Sequence, residues 1–271
     1  MDDIDRFLEE DLGKEGDITS DTLFTDEQAK AQIITKDDCI IAGLNEIIDV
    51  FNKTGAKIEF NVKTGDFVKK DTIIAIIKGP AKSILKGERL AINIIGRMSG
   101  IATETNKLVN LCKSINPKVT VAATRKTTPG FRKYEKKAVV IGGGESHRFG
   151  LYDAVMIKDN HIKLIGSVEK AIMKVKENVH DKIIEIEVEN EKDALTAARL
   201  DVDVIMLDNM DPKTGKDIAK KVRHINKKII IEISGGITSD NIKNYASFAD
   251  RISLGYITHS IKSIDFSLEI I

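Results

Sequence analysis

The 271-residue chain has only two cysteines, Cys39 and Cys112, far apart and outside any short-range pairing. That excludes a disulfide framework and suits a reducing cytosol, with both thiols read as small buried hydrophobes. Neither sign of charge is in surplus, since 42 Lys and Arg balance 42 Asp and Glu. No excess positive charge is available to track a nucleic-acid backbone or an anionic membrane, so any anion site must be a local concentration of cations. Apolar runs such as IIAII at 73–77 and VIML at 204–207 fall far short of the ~20 residues of a membrane span. The acidic opening MDDIDRFLEEDL lacks the basic start and apolar core of a signal peptide, and a cytoplasmic protein is expected. Five histidines, His147, His161, His180, His224 and His259, show no close ligand spacing, so no zinc site is expected. His180 and His224 read as surface helix residues.

What is present is a core. With 42% hydrophobic and 31% charged residues, a chain of this length buries about three quarters of its unfolded surface. Disorder as the main state is excluded, and one large domain or two modest ones are allowed.

The pattern changes once, near residue 104. Before it, a helix over Ile4 to Leu12 and a strand near Ala29 to Thr35 precede a β-rich module, Ile58 to Leu85, with turns at Lys63–Asp66 and Lys69–Asp71. Glu88 to Cys112 then spaces its apolar residues like a buried helix or two. Beyond it, strand-type runs alternate with helical ones: VTVAAT (119–124), AVMIKD (154–159), IIEIEV (183–188), VIMLDN (204–209), IIIEIS (229–234) and RISLG (251–255). Strands so uniformly apolar are buried on both faces, which means a parallel sheet covered by helices. A full eight-stranded β/α barrel needs ~250 residues and only about 150 follow, so an incomplete barrel is expected. The fold class is thus α/β: an incomplete β/α barrel (105–261) preceded by a smaller mixed α+β domain (1–104), with the tail 262–271 packing back on that first domain.

Barrel chemistry sits where the strands end. Here they end in Thr124, Arg125 and Lys126; Lys158, Asp159 and Asn160; Glu187; Asp208 and Asn209; Ser234, Gly235 and Gly236; and Gly255. Charges directly after buried strands must face something that satisfies them. With Arg148 they describe a polyanion pocket, the guanidinium offering a bidentate fork and lysine a point charge. Lys133, Lys136 and Lys137 read instead as a solvated helix face, and Arg132 fits either set. SGG at 234–236 and LGY at 254–256 place flexible backbone N–H groups where a helix starts, a phosphate cradle. Gly142–Gly144 is placed near the site with no assigned contact. Glu187 and Asp208, on adjacent strands, suit ribose hydroxyls, directly or through Mg²⁺. His147 and His259 are the histidines placed near the chemistry. VIMLDNMDPKTG (204–215) departs from the donor loop of type I phosphoribosyltransferases, because its acidic pair is Asp-Asn and its Thr-Gly falls late.

TRKTTPGFR (124–132), GGGESHRFGLYDAVMIKDNHI (142–162), EIEVEN (185–190), DVIMLDNM (203–210), IEISGGIT (231–238) and DRISLGYITHS (250–260) together resemble quinolinate phosphoribosyltransferase. GDITSD (16–21) and GERLAINIIGRMSGIAT (87–103) extend the resemblance across essentially the whole chain. It implies joining quinolinate to 5-phosphoribosyl-1-pyrophosphate, with release of pyrophosphate and CO₂, to give nicotinate mononucleotide for NAD synthesis. It further implies that Thr124, Arg125, His147, Arg148 and Lys158 hold quinolinate, with Arg89 reaching in from a neighbouring subunit of a homodimer or hexamer. Lys126, Glu187, Asp208, Ser234, Gly235, Gly236 and Gly255 would hold the donor and its Mg²⁺, the catalytic set being Lys126, Lys158, Glu187 and Asp208. Two other readings are a paralogous enzyme of molybdate-transport gene clusters with a different acceptor and, on KTGDFVKKDTIIAIIKG (63–79), a biotinyl or lipoyl carrier. The carrier lacks the modifiable lysine at a tight hairpin tip.

Overall fold

A computed structural model describes residues 2–271, which divide into two compact units. The first comprises the chain up to Asn106, residues 130–143 and residues 260–271; the second comprises 107–129 and 144–259.

In the first unit α1 (Asp3–Leu12) begins at a capping box between Asp2 and Asp5 and buries Ile4 and Leu8, one turn apart on a single face. After it come α2 (Ile18–Leu23), β1 (Gln28–Thr35), β2 (Cys39–Ile40), α3 (Leu44–Thr54), β3 (Lys57–Phe60), β4 (Phe67–Val68) and β5 (Ile73–Pro80). α4 (Ala81–Lys113) is one continuous helix where the spacing allowed one or two. Its Ile84, Ala91, Ile95, Met98 and Ile101 are fully buried, and its last turns belong to the second unit.

One segment departs from the expected boundary. β6 (Thr120–Ala122) starts the second unit, yet α5 (Arg132–Ile141) packs in the first. Tyr134 Oη donates to Asp3 Oδ2 at 3.1 Å, and the rings of Phe7, Phe131 and Tyr134 cluster. Fully buried Glu135 accepts from Arg97 Nε and Nη2 at 3.1 and 2.8 Å, and Lys137 Nζ donates to buried Glu46 at 2.6 Å. The expected solvated lysine face is therefore wrong for two of its three members. Lys136 is 2% exposed and Lys137 is half-buried in an ion pair, while only Lys133 faces solvent. The acids that draw this helix in lie far away in sequence, so its cations alone read as a wet face.

The second unit continues with β7 (Val155–Ile157), α6 (Asp159–Ile165), α7 (Val168–Asn178), β8 (Ile184–Val188), α8 (Glu191–Arg199), β9 (Val204–Asp208), α9 (Pro212–Ile225), β10 (Ile230–Ser234), α10 (Ile242–Ala246), β11 (Arg251–Ser253) and α11 (Tyr256–His259). Its six strands form one parallel sheet in the order β6-β11-β10-β9-β8-β7, a barrel lacking two strands. Helices present small or branched residues to it, such as Ala194, Ala197 and Ala198 of α8 and Ile218, Ala219 and Val222 of α9. β12 (Phe266–Ile270), from the C-terminal tail, lies in the first unit. It pairs antiparallel with β1 in a four-stranded sheet ordered β12-β1-β5-β3. Just before it, Ile264 N–H donates to Gly96 O of α4 at 3.0 Å, which ties the tail down. Among the described residues no helix is long and apolar enough to cross a membrane.

Candidate active site

Side chains alternate across a strand, so residues two apart on one strand share a face. Glu185 and Glu187 of β8, Met206 and Asp208 of β9, Glu232 and Ser234 of β10, and Arg251 and Ser253 of β11 form such pairs. The C-terminal member of each pair stands at the strand end. There the sheet bounds a cavity of about 700 Å³.

The cations come from the first strand ends. After β6, Thr124, Arg125 and Lys126 border the cavity, Thr124 Oγ1 accepting from the Lys126 N–H at 3.0 Å. Arg125 Nε is buried with no partner in the protein. Nearby, Arg148 donates to Ala154 O at a long 3.4 Å and to Met156 Sδ, a weak acceptor, at 3.0 Å. Burial lowers the pKa of its guanidinium; the charges of Glu185 and Glu187 oppose this, and that of Arg125 adds to it. Two crowded guanidinium groups, one with an orphaned donor, describe a place for an anion.

Lys158, following β7, donates its Nζ to Glu187 Oε2 at 2.5 Å, while its backbone N–H donates to His161 Nδ1 at 2.9 Å. Asp208 is a strand away. Burial raises its carboxyl above the ordinary range, the Glu187 charge adds to this, and Ser234 and Lys158 oppose it. Asn209 Nδ2 donates to Asp208 Oδ2 at 2.7 Å from a left-handed backbone, φ +53°. Two carboxylates, Glu187 and Asp208, facing one cavity are a donor set that fits a hard divalent cation.

The glycines are required by space. Gly235 has φ +89°, and a Cβ there would stand 2.7 Å from the Asn209 backbone nitrogen. At Gly255 a Cβ would meet Lys126 Cδ at 2.8 Å, so a larger residue there would make the stem of that lysine shift. Gly236 borders the cavity too, with open space around it.

His147 borders the cavity with both ring nitrogens engaged. Nδ1 accepts the Arg148 N–H at 2.7 Å, and Nε2 lies 3.3 Å from both Glu185 Oε2 and Glu232 Oε2. Burial alone would push this imidazole down; the two carboxylates outweigh it and raise it to about 9. With Nδ1 accepting, the ring carries its one proton on Nε2, and the further proton that the raised value describes belongs to the His147, Glu185 and Glu232 cluster as a whole.

Every strand-end residue implied by the resemblance therefore borders one cavity, and His259 joins them. Arg89 does not border it; it is exposed on α4 of the first unit. Gly142–Gly144, expected near the site, are not at the cavity either, and Gly142 closes α5 against α4. His180 and His224 are exposed. Sequence reading missed Glu232, Ser253, Glu185 and Arg251. The signal was available, since each polar residue inside IIEIEV, IIIEIS and RIS has the parity of its strand's terminal site residue.

Comparison with known proteins gives the same picture over the whole chain. The models of the N-terminal and C-terminal domains of quinolinate phosphoribosyl transferase match residues 17–99 and 101–269. A probable nicotinate-nucleotide pyrophosphorylase [carboxylating] of Archaeoglobus fulgidus is 44% identical, over 94% of this chain and 98% of that one. Its counterpart of the same name in Methanocaldococcus jannaschii is also 44% identical, over 97% and 94%. The crystal structure of nicotinate-nucleotide pyrophosphorylase from Ehrlichia chaffeensis superposes with a TM-score of 0.93 at 37% identity, covering 99% of this chain and 97% of that chain. The chain belongs to the quinolinate phosphoribosyltransferase family.

Proposed function

We propose that the protein transfers the phosphoribosyl group of 5-phosphoribosyl-1-pyrophosphate to quinolinate and decarboxylates the product. Nicotinate mononucleotide, pyrophosphate and CO₂ are formed, a step of de novo NAD synthesis. The observation that carries this reading is the buried, unmatched Nε of Arg125 in a cavity that Arg148, Lys158, two carboxylates and two glycine turns also line. A dicarboxylate acceptor fits the cations, and a phosphorylated, hydroxyl-rich donor fits the carboxylates and glycine turns.

Thr124, Arg125, Arg148 and Lys158 are assigned to the quinolinate carboxylates, with His147 behind Arg148. Lys126, Ser234 and the N–H groups near Gly235, Gly236 and Gly255 are assigned to the donor's phosphates. Glu187 and Asp208 would hold Mg²⁺, which when bound supplies charge neutralisation for the departing pyrophosphate. Lys126 stands ready for the same developing charge. The chain's own part is mostly positioning: the fixed cations orient the pyridine nitrogen toward the ribose carbon, and no residue serves as a covalent nucleophile. Once that nitrogen is quaternary, its charge stabilises the carbanion left by CO₂. The cations must hold the 2-carboxylate without over-stabilising it in the ground state. The paralogous enzyme with another acceptor and the carrier module gain no support from the relatives found.

A coupled assay of CO₂ and pyrophosphate tests the reading. Nicotinate, lacking the 2-carboxylate, is expected to react at least ~10³-fold less well in kcat/KM, because cations built for a carboxylate are left unpaired. Comparable rates with both acceptors would remove quinolinate as the substrate.

The proposal includes a homodimer, or a hexamer of three dimers, in which Arg89 completes a neighbour's site. Supporting it are the exposed position of Arg89 and the exposed apolar Leu151, Tyr152 and Leu164 on the second unit, 73%, 74% and 88% accessible. Arg89→Ala and Lys158→Ala proteins, each nearly inactive, should regain about one quarter of wild-type sites when unfolded, mixed and refolded, since two-fold exchange leaves one intact site per heterodimer. No recovery despite heterodimer formation would confine Arg89 to its own chain. Two buried free cysteines agree with a cytosolic location.

A further inference from the structure

Among the buried polar side chains of the second unit, Glu185, Glu232 and Ser253 stand in the cluster that holds His147, while Thr258 stands apart. Thr258 lies in α11, the single turn of helix after β11; it is fully buried and does not border the cavity. Its Oγ1 donates to Lys126 O at 2.7 Å and lies 3.0 Å from Gly255 O. The Gly255 contact is the local one that a helical threonine makes to a carbonyl of the preceding turn. The Lys126 contact is the shorter and spans 132 residues, so local preference does not account for it.

That bond falls where the sheet stops. β6 and β11 are parallel neighbours, and at their C-terminal ends the Leu254 N–H donates to Ala122 O at 3.0 Å. Past this point one segment enters the loop of Thr124, Arg125 and Lys126, and the other enters Gly255 and α11. Within the loop the Lys126 N–H donates to Thr124 Oγ1 at 3.0 Å and the Thr127 N–H to Arg125 O at 2.9 Å, both internal bonds. The Thr258 hydroxyl fastens the loop to α11. The same strand end places the lysine stem, since Lys126 Cδ passes 2.8 Å from where a Cβ on Gly255 would stand. Lys126 borders the cavity and makes no ion pair among the described residues. A lysine is a point charge on a flexible stem, so fixing its backbone and stem narrows where the ammonium reaches.

We propose that Thr258 is a positioning residue for phosphoribosyl transfer: its hydroxyl holds the Lys126 carbonyl against α11 and so aims the Lys126 ammonium at the donor, without touching substrate. The aim rests on the assignment of Lys126 to the donor's phosphates, and the clamp rests on hydrogen-bond geometry alone. A charge that meets developing pyrophosphate acts through its placement, so loosening its anchor weakens the donor's side of the reaction and spares the acceptor's.

Thr258→Ser keeps the O–H, and Thr258→Val replaces it with a methyl group. The Ser variant should stay within ~3-fold of wild type in kcat and in both KM values. The Val variant should lose at least ~10-fold in kcat/KM for the phosphoribosyl donor, while quinolinate affinity by calorimetry stays within ~3-fold. A purely structural role is separated by a double variant: Lys126→Ala and Lys126→Ala/Thr258→Val should agree within ~3-fold, because removing the anchor costs little once the anchored ammonium is gone. Hydrogen exchange of the substrate-free protein reads the clamp directly, with the amides of residues 124–128 exchanging faster in Val and as in wild type in Ser. An equal loss from Thr258→Val in both lysine backgrounds, unchanged donor kinetics in Val, or unchanged exchange would overturn the proposal. Should the Val variant not fold, Thr258→Cys, whose thiol is a weak donor, takes its place under the same criteria. Donor kinetics unaffected by Lys126→Ala would overturn the assignment of Lys126 to the donor, whereas the exchange of residues 124–128 would still judge the clamp.

Discussion

Glu135 and Glu46 in the first unit and Arg125 and Arg148 in the second are all charges withdrawn from water, yet their surroundings differ. Glu135 receives two donors from Arg97, and Glu46 pairs one oxygen with Lys137 while its Oε2 stays unmatched. Arg125 and Arg148 crowd each other, and Arg125 keeps a buried donor unmatched. Burying an ion costs several kcal/mol unless a counter-charge and hydrogen bonds make up the loss. The first unit supplies them from its own helices, so its ion pairs hold the fold. The second leaves the buried Arg125 donor unmatched, so that donor awaits a ligand.

The contrast should break most sharply at Arg125. Arg125→Ala is expected to lower kcat/KM for quinolinate ~10³-fold, about 4 kcal/mol of transition-state stabilisation, and to leave the melting temperature unchanged or raised. Saturation kinetics beside a thermal melt would test this, and a large loss of stability would show that this charge is structural after all. Asp208→Asn follows, with a ~10²-fold or greater fall in kcat and quinolinate affinity by calorimetry within a few-fold of normal. Glu187 is the less clean probe, because its removal frees Lys158 and disturbs both ends of the cavity.

Arg97→Ala should do the reverse of Arg125→Ala. Removing the charged partner of fully buried Glu135 is expected to cost about 3 kcal/mol in denaturant unfolding, with KM for quinolinate within ~3-fold below the transition. The smallest effect concerns pH. His147 is raised to about 9 in the fold from an ordinary 6.5. A raised value contributes stability that is fully present below pH ~6.5 and is lost as pH rises through about 9, with a slope of at most ~1.4 kcal/mol per pH unit. Unfolding free energies between pH 6 and 10 should show that decline, and His147→Asn should flatten it.

Much of the second unit was legible because its signals are local. A strand buried on both faces must be a run of Ile, Val, Leu and Met, and the charge or glycine that ends the run names the rim residue: Lys158, Glu187, Asp208, Gly235. The interior charges were harder to read. Glu185, Glu232 and Arg251 interrupt apolar runs, but whether such a residue faces a helix or the middle of the sheet depends on register. Register emerges only when Glu232 stands beside Arg251.

The sequence alone determined the strand and helix alternation, the absence of a disulfide framework or membrane-spanning run, and the identity of the rim residues, because each depends on period, composition or a short motif. Tertiary structure decided that α5 leaves the strand-bearing unit, that Lys136 is buried, that His147 spends both nitrogens inside the fold, and that Arg125 keeps a donor unmatched. These depend on partners tens to more than a hundred residues away, such as Glu46 for Lys137 and Glu232 for His147. Pairing at that separation follows from how the chain closes on itself, and no local period encodes it.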